Sequence, residues 1–242
     1  MRDVYNEQWY LDVTAPGTAL FMGDGMRFSH QLVDGKAVSP YGYAGIQGDP
    51  QEVRKALGMP LFVRYGVGQK AIGAIERPTR IIPLDKPWVE GSPHLAESAR
   101  AQRMGVSARN FGSNRAALWE FRDSYMEAMR AKNAAPKYFA IGERLEEWAG
   151  NPQVHVVLAQ DAGAIFLTGD TWAHYHLSFR RPTAHNTAMH AIFDVAVPLC
   201  AQAGCQYMHL GGGTTASTDD PLYKFKARIG RLPHTVYFQE VL

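Results

Sequence analysis

The chain has 242 residues, of which 46% are hydrophobic and 20% are charged; this ordinary globular composition excludes fibrous and wholly disordered proteins and allows one large domain or two small ones. The 25 Lys and Arg residues outnumber the 23 Asp and Glu residues by only two, which is too little charge for a general nucleic-acid coat but is compatible with a local basic patch. No apolar run of about 18 residues occurs, and the first segment, MRDVYNEQWY, lacks the apolar core of a secretory signal, so we predict a cytoplasmic protein with no membrane insertion.

The first third of the chain is rich in glycine and proline and is predicted to form short strands. Residues 19–22 and 27–32 flank Gly23-Asp24-Gly25, a sequence typical of a β-hairpin turn. The remaining elements follow in chain order: a loop at 39–46, a helix at 51–57, strands at 61–65 and 80–84, and a linker at 87–93.

The rest of the chain alternates helices with strands. Apolar residues recur every three or four positions after Asn114, and Asp219-Asp220-Pro221 is typical of a helix N-terminus. The predicted elements are a helix from a cap at Ser113 or Asn114 to residue 132, antiparallel strands at 154–159, 164–168 and 172–179, a helix at 186–203 with Pro198 inside it, a strand at 205–210, a helix that ends at Gly230, and a strand at 235–242. This order predicts an α/β fold in which helices cover both faces of a mixed sheet.

A run of three glycines follows the predicted strand that ends at Leu210. Gly211-Gly212-Gly213 would let a ligand approach the backbone closely, and ligands of open α/β sheets tend to bind at such strand ends. A flexible loop is an equally good interpretation of the glycines alone. The chain has neither GxxxxGK[ST] nor GxGxxG, so neither nucleotide-binding loop is predicted.

Residues 223–234 contain four cationic side chains and no acidic one. On a helix, Lys224 and Arg228 share one face, whereas Lys226 projects about 200° away from Lys224. Lys226 could therefore face a ligand while Lys224 is solvated. The alternative is a solvated basic face, the usual meaning of a charge run.

Metal and nucleophile motifs are not evident. His174 and His176 should share one face of a strand, but no acidic residue at metal-ligand spacing accompanies them, so we predict no metal site. Cys200 and Cys205 are predicted to be buried thiols rather than a disulfide or zinc ligands. No GxSxG motif occurs.

Several segments, together with the element order, resemble a known family. They are residues 39–45 (SPYGYAG), 175–178 (YHLS), and the pair 209–213 (HLGGG) and 220–226 (DPLYKFK). The element order resembles the C-terminal part of a GNAT acyltransferase, and the segments resemble the FemABX family of tRNA-dependent aminoacyltransferases. Because that family is built from two GNAT-like halves, the resemblance implies a reduced first half at 1–95 and a second half at 96–242.

The resemblance implies that the chain moves an amino acid from aminoacyl-tRNA to the amine of a small peptidyl acceptor and forms a peptide bond. Aminoacyl-tRNA would be a co-substrate, and no cofactor is implied. Longer members of the family act on peptidoglycan precursors and compact members on intermediates of antibiotic pathways; the length of this chain favours the second class. The residues implied are Lys226 and Phe225 for catalysis, Tyr43, Tyr125, Tyr175, Gly211, Gly212 and Gly213 for substrate, and Lys224, Arg228 and Arg231 for tRNA phosphates.

The chemistry expected of Lys226 is electrostatic. An aminoacyl ester is already activated, so its aminolysis needs proximity and stabilisation of the developing oxyanion rather than a protein nucleophile. The Lys226 ammonium would act on the oxyanion or on a nearby phosphate. The sequence identifies no general base, which leaves a substrate group or water for that role. For Tyr125 and Tyr175, a place in the core is as good an interpretation as a place in the acceptor pocket.

The alternative function is acetyl-CoA-dependent N-acetylation. GNAT enzymes hold the CoA pyrophosphate on a glycine-containing loop at a helix N-terminus. The corresponding residues 180–188 contain no glycine, and Pro182 lacks an amide donor. This favours tRNA over CoA. A binding module without activity is a third class, against which the glycine run and Lys226 argue.

Overall fold

The computed structural model describes residues 3–242, apart from the side chain of residue 137. The helices are α1 (Gln8–Thr14), α2 (Pro50–Leu57), α3 (Pro93–Arg103), α4 (Arg115–Ala131), α5 (Pro136–Gly142), α6 (Ala188–Gln202) and α7 (Pro221–Ile229), with 3₁₀ turns at Val4–Asn6 and Leu145–Trp148. The strands are β1 (Ala19–Gly23), β2 (Met26–Val33), β3 (Lys36–Val38), β4 (Leu61–Arg64), β5 (Ile75–Pro83), β6 (Ala108–Asn110), β7 (Val154–Ala159), β8 (Ala162–Thr168), β9 (Trp172–Arg180), β10 (Tyr207–Gly212) and β11 (Leu232–Val241).

The chain divides into two compact units. The smaller comprises the residues up to Pro78 together with His234–Leu242, and the larger is Thr79–Pro233. The units are divided differently from the halves 1–95 and 96–242, because the last strand returns to the smaller unit and pairs with β4. The assignment of two GNAT-like halves stays a prediction.

The smaller unit contains the strand order β1-β2-β3-β4-β11. The predicted hairpin is confirmed: β1 and β2 are antiparallel, and the turn places Asp24 and Gly25 at φ of 46° and 77°, the left-handed conformation that glycine and aspartate favour. Strands β3 and β4 are parallel. The core contains Phe28, Val53 and Leu61, none of which is exposed to solvent.

In the larger unit the strand order is β5-β10-β9-β8-β7-β6. The predicted meander is confirmed, since β7, β8 and β9 are successive antiparallel strands. One face of the sheet packs against α6, where Phe166 meets Phe193 with ring centres 5.7 Å apart. The other face packs against α4, where Phe179 meets Phe121 at 5.3 Å. Helices therefore cover both faces of a mixed sheet, as the sequence predicts.

Strands β9 and β10 are parallel but separate along their length. Their pairing stops at His174 and His209, whereas β9 continues to Arg180 and β10 to Gly212. We call the space between the unpaired ends the β9–β10 gap. In such a gap the two strands do not bond to each other. Their backbone N–H and C=O groups can instead form hydrogen bonds with a side chain or a ligand.

Three helices were not expected from the sequence. α3 begins at Pro93, the end of the predicted linker, with Ser92 as its N-cap, and α1 and α5 have only seven residues each, too few for a clear helical period. Pro198 lies inside α6, which continues to Gln202. Within residues 3–242 no helix is both long enough and apolar enough to cross a lipid bilayer.

Candidate active site

A cavity of about 520 Å³ lies in the larger unit, among α3, β9, α6 and α7. This volume is in the range of sites that bind a small molecule, and it could also hold one end of a larger substrate. Several of its walls are aromatic or cationic. The lining residues are Glu97, Arg100, Lys132, Tyr175, Ser178, Phe179, Arg180, Asn186, Met189, His190, Leu222, Phe225 and Arg228.

A β-bulge in β9 shapes the wall of this cavity. Phe166 pairs with Tyr175 but its neighbour Ile165 pairs with Leu177, so His176 is the extra residue. The extra residue reverses the alternation of side chains along the strand. Tyr175 and Ser178 consequently lie on the same face and both line the cavity.

The side chain of Lys226 lies in the β9–β10 gap. It is 7% exposed, and its Nζ donates a hydrogen bond of 2.7 Å to the carbonyl oxygen of Gly212. The same Nζ is 5.7 Å from the ring centre of Tyr175, a distance at which the face of an aromatic ring attracts a cation. Burial lowers the pKa of Lys226 to about 7. The ammonium is thus a poorly solvated cation next to Tyr175, which lines the cavity, but Lys226 itself is not one of the lining residues.

The glycine run allows the end of β10 to approach the start of α7. Gly211 has a φ of 70°, and a Cβ on Gly213 would lie 2.5 Å from the carboxyl carbon of Asp220. Such a separation is too short for any side chain, so position 213 requires glycine. The glycines do not line the cavity. Their contact with substrate stays a prediction, but their structural role is clear.

Asp220 links the loop that follows β10 to α7. One carboxylate oxygen accepts hydrogen bonds from the backbone amides of Leu222 and Tyr223, as an N-cap does. The other accepts bonds from the amides and hydroxyls of Thr214 and Thr215. The bonds from Thr214, followed by those from the amides, hold the pKa of Asp220 well below its usual range. The carboxylate therefore fixes the helix that carries Lys226.

The basic segment is divided by the structure. Arg228 and Phe225 line the cavity. Lys224 instead is exposed and pairs with Asp219 at 3.0 Å, and Arg231 donates a bond of 3.1 Å to the backbone carbonyl of Lys86. Of the three predicted phosphate contacts, the structure places only Arg228 at the cavity.

Three further cations surround the same cavity and were missed by the sequence analysis. Arg100 comes from α3, Lys132 caps the end of α4, and Arg180 ends β9. Because these residues are far apart in sequence, no local charge run reveals them. With Arg228 they outnumber Glu97, the single acidic residue in the lining, so the rim of the cavity attracts an anionic ligand.

The other predicted tyrosines lie elsewhere. Tyr125 is buried in the core, with its ring 5.9 Å from that of Phe121 and against Gly142, and burial raises its pKa. It does not line the cavity. Tyr43 belongs to the smaller unit, where its ring lies 5.9 Å from that of Tyr5.

A chain of polar side chains ends at the cavity. Asp194 Oδ1 lies 3.0 Å from His94 Nε2, and His94 Nδ1 lies 2.9 Å from His190 Nδ1. Ser98 Oγ donates to the other oxygen of Asp194. His94 and His190 are 96 residues apart in sequence, so no motif predicted their contact.

Two other predictions concern metal ligands and thiols. The rings of His174 and His209 are 6.0 Å apart, and His176 packs against Trp148. Within residues 3–242 no group of three or more His, Cys, Asp or Glu side chains could hold a metal ion.

The prediction of buried thiols is confirmed: Cys200 and Cys205 are free and buried. Burial raises the pKa of Cys205 to about 11.

No protein-family model and no curated protein sequence matches the chain. Among solved structures it is similar to the C-terminal domain assigned to a lysylphosphatidylglycerol synthetase from Agrobacterium fabrum, with a TM-score of 0.70, 13% identity, and coverage of 99% of this chain and 88% of that one. It is similar to FemX, with a TM-score of 0.63, 12% identity, and coverage of 99% and 90%. It is also similar to a tandem GNAT protein from the clavulanic acid biosynthesis pathway, with a TM-score of 0.50, 12% identity, and coverage of 96% and 86%. These similarities confirm the predicted fold class: the chain has a mixed α/β, GNAT-like fold.

Proposed function

We propose that the chain is an aminoacyltransferase of the FemABX type, which moves an amino acid from aminoacyl-tRNA to the amine of a peptidyl acceptor. The observation that carries the proposal is the buried ammonium of Lys226, held by Gly212 beside a cavity with a cationic rim. Lysine is seldom buried without a specific reason. The similarity of the fold to that of FemX supports the same assignment.

The proposed reaction is the aminolysis of an ester. The acceptor nitrogen attacks the ester carbonyl carbon, the C–N bond forms, and the carbonyl π electrons move to oxygen. Lys226 stabilises that oxyanion with one of its remaining N–H groups, since only one is used by Gly212. When the intermediate collapses, the C–O bond to the tRNA ribose breaks and the ribose oxygen takes up a proton. Phe225 and Tyr175 form apolar walls that hold the reacting groups and exclude water.

The walls of the cavity support the proposed partners. Arg100, Lys132, Arg180 and Arg228 provide positive charge for phosphates next to the reacting end of tRNA. A cavity of about 520 Å³ accommodates an aminoacyl group and a small peptidyl amine. For the acceptor we propose a peptide intermediate of an antibiotic pathway, with a peptidoglycan precursor as the other candidate. A cytoplasmic location is part of this proposal.

The acetyl-CoA alternative is disfavoured by the start of α6. The amides of Ala184 and Ala188 bond to the carbonyls of Arg181 and His185, and the amide of Thr187 bonds to His185 Nδ1. Amides already bonded in this way are not free to hold a pyrophosphate. This supports tRNA over CoA as the carrier of the transferred group.

A transfer assay tests the proposal. The protein is incubated with tRNA charged with labelled amino acids and with peptide amines as acceptors, with and without prior RNase treatment. We expect labelled peptide only when the tRNA is intact. A parallel reaction contains labelled acetyl-CoA, and acetylation of the same amines in the absence of tRNA would replace the proposed function by its alternative.

A further inference from the structure

The polar chain that ends at the cavity has a defined direction of proton donation. Asp194 accepts hydrogen bonds from Ser98 and His94; although its partial burial raises its pKa, these bonds and the nearby histidines outweigh that effect, and the pKa is lowered overall. Asp194 is therefore a carboxylate, which can only accept. Consequently Nε2 of His94 carries the proton of this bond.

When His94 is neutral, the direction of its bond to Asp194 determines the tautomer of His190. A neutral imidazole that donates from Nε2 has a lone pair on Nδ1. The contact of 2.9 Å between the two Nδ1 atoms is then a hydrogen bond from His190 to His94. His190 Nε2, on the opposite side of its ring, is left with a lone pair. This is the arrangement in which a second group sets the tautomer of a histidine base.

The middle of this chain is shielded from water, whereas 30% of the Asp194 side chain is exposed. His94 has no solvent exposure, and Trp88 stacks on its ring with centres 3.9 Å apart. His190 lines the cavity, and its ring lies 6.0 Å from that of Phe225 on α7. The base is thus adjacent to the segment that carries Lys226.

We propose that His190 is the general base that takes the proton from the acceptor amine, and that His94 and Asp194 are positioning residues that orient its ring and stabilise the resulting charge. This inference rests on the proposed function. When the C–N bond forms, the proton on nitrogen moves to His190 Nε2. The proton on His190 Nδ1 moves to His94 Nδ1, and the imidazolium of His94 is stabilised by the Asp194 carboxylate. As the C–O bond breaks, the protons return along the same path and Nε2 protonates the ribose oxygen, so no net charge is left on the protein.

The charges around His190 are consistent with a free base at neutral pH. Burial lowers its pKa to about 4. Glu97 and Asp194 act in the opposite direction, and Arg228 acts in the same direction. Once the C–N bond has formed, the acceptor nitrogen carries a positive charge, and its N–H is more acidic than that of the free amine, which favours transfer of the proton to His190.

Steady-state kinetics of three variants test the role. We expect His190→Gln and Asp194→Asn to lower kcat by about 100-fold or more, the usual contribution of general base catalysis, with little change in KM. The matched control is His155→Gln, a half-buried histidine that bonds to Thr168 and lies outside the cavity, and it should keep normal kcat. Unchanged kcat in His190→Gln would overturn the proposal.

Chemical rescue distinguishes proton transfer from a structural role. Added imidazole should restore turnover to His190→Gly but not to Lys226→Met. Hydroxylamine, a strong nucleophile that is neutral at neutral pH, should cleave the aminoacyl ester in His190→Gln at nearly the rate of the unmodified protein. A variant that is slow with hydroxylamine as well, and is not rescued by imidazole, would show that His190 only supports the structure.

A spectroscopic measurement separates this inference from the proposed function. In the ¹⁵N NMR spectrum at neutral pH we expect His190 to carry its proton on Nδ1, and we expect Asp194→Ala to lose that preference. If the unmodified protein transfers no amino acid, the proposed function fails, and the role of His190 as its base fails with it. If transfer occurs but His190 carries its proton on Nε2, only the inference about the base is contradicted.

Discussion

The ring of Tyr175 lies 5.7 Å from the ammonium nitrogen of Lys226 and also forms part of the cavity wall. The tyrosine therefore connects the buried cation to the space in which a substrate would bind. Burial raises the pKa of the Tyr175 hydroxyl to about 12, so the ring is neutral and presents only its quadrupole to Lys226. This pair explains how a cation can be nearly desolvated and still lie close to the cavity.

Lys226 should make stability depend on pH in a characteristic direction. Its pKa is about 7 in the folded chain and about 10.4 in the unfolded chain, so between these values the unfolded chain binds more protons and stability rises with pH. The full cost of burying the charge applies below pH 7. Urea denaturation at pH 6 and pH 9 gives the free energy of unfolding of Lys226→Met and of the unmodified protein. The variant should gain more stability over the unmodified protein at pH 6 than at pH 9. An equal difference at both pH values would mean that Lys226 titrates normally.

Asp220 should contribute strongly to the stability of the site. Asp220→Ala removes the N-cap of α7 and the bonds to Thr214 and Thr215, so we expect a loss of about 1–3 kcal/mol in the free energy of unfolding. Because the pKa of Asp220 is lowered in the folded chain, this contribution is present above the unfolded pKa of about 3.9 and is lost as the pH falls below it.

The matched control for this change is the exposed neighbour Asp219, whose ion pair with Lys224 is at the surface. Asp219→Ala should cost less than about 0.5 kcal/mol in urea denaturation at pH 7. Equal losses for the two alanine variants would contradict the role given to Asp220.

Gly213 should tolerate no side chain. The Cβ of Gly213→Ala would lie 2.5 Å from Asp220, so the loop or the start of α7 must shift, at an expected cost of about 1–3 kcal/mol. Gly23→Ala is the comparison, because a Cβ there meets only the Phe21 ring at 3.6 Å. Thermal denaturation should show a lower Tm for Gly213→Ala alone. A Tm for Gly213→Ala that matches the unmodified protein would mean that the loop adapts freely.

The cations at the cavity should determine how tRNA binding depends on salt. Arg228→Met should weaken binding several-fold and reduce the slope of log K against log salt by about one, as expected for the loss of one phosphate contact. Lys224→Met and Arg231→Met remove cations that bond to other groups of the protein and should leave the slope nearly unchanged. Filter binding over a salt series measures this. Equal slope changes for all three variants would mean that the whole basic segment, residues 223–234, contacts phosphates.

Much of the fold could be predicted because its signals are local. Gly23-Asp24-Gly25 forms the hairpin turn, and Asp220 caps α7 as its sequence indicates. Helical spacing also predicted that Lys226 and Lys224 point in different directions, and Lys226 is indeed buried whereas Lys224 is exposed. These features depend on residues within one turn or one helical repeat of each other.

The site could be predicted only in part because it is assembled over long sequence distances. His94 contacts His190 across 96 residues, and the cations at the cavity come from four different elements. The bulge at His176, which turns Tyr175 and Ser178 to the same face, leaves no mark in the hydrophobic pattern of β9. Tyr125 follows the apolar period of α4 and lies in the core for that reason.

The most direct test of the account compares transfer by Lys226→Met and Lys224→Met. Both variants remove one ammonium from α7 and keep the helix propensity of the residue, but only Lys226 lies in the β9–β10 gap. The assay uses labelled aminoacyl-tRNA and a peptidyl acceptor. We expect the transfer rate of Lys226→Met to fall by a factor of about 100 or more, which corresponds to a loss of about 3 kcal/mol. The rate of Lys224→Met should stay within about twofold of that of the unmodified protein. Similar rates in the two variants would contradict the role of Lys226, and with it the central claim.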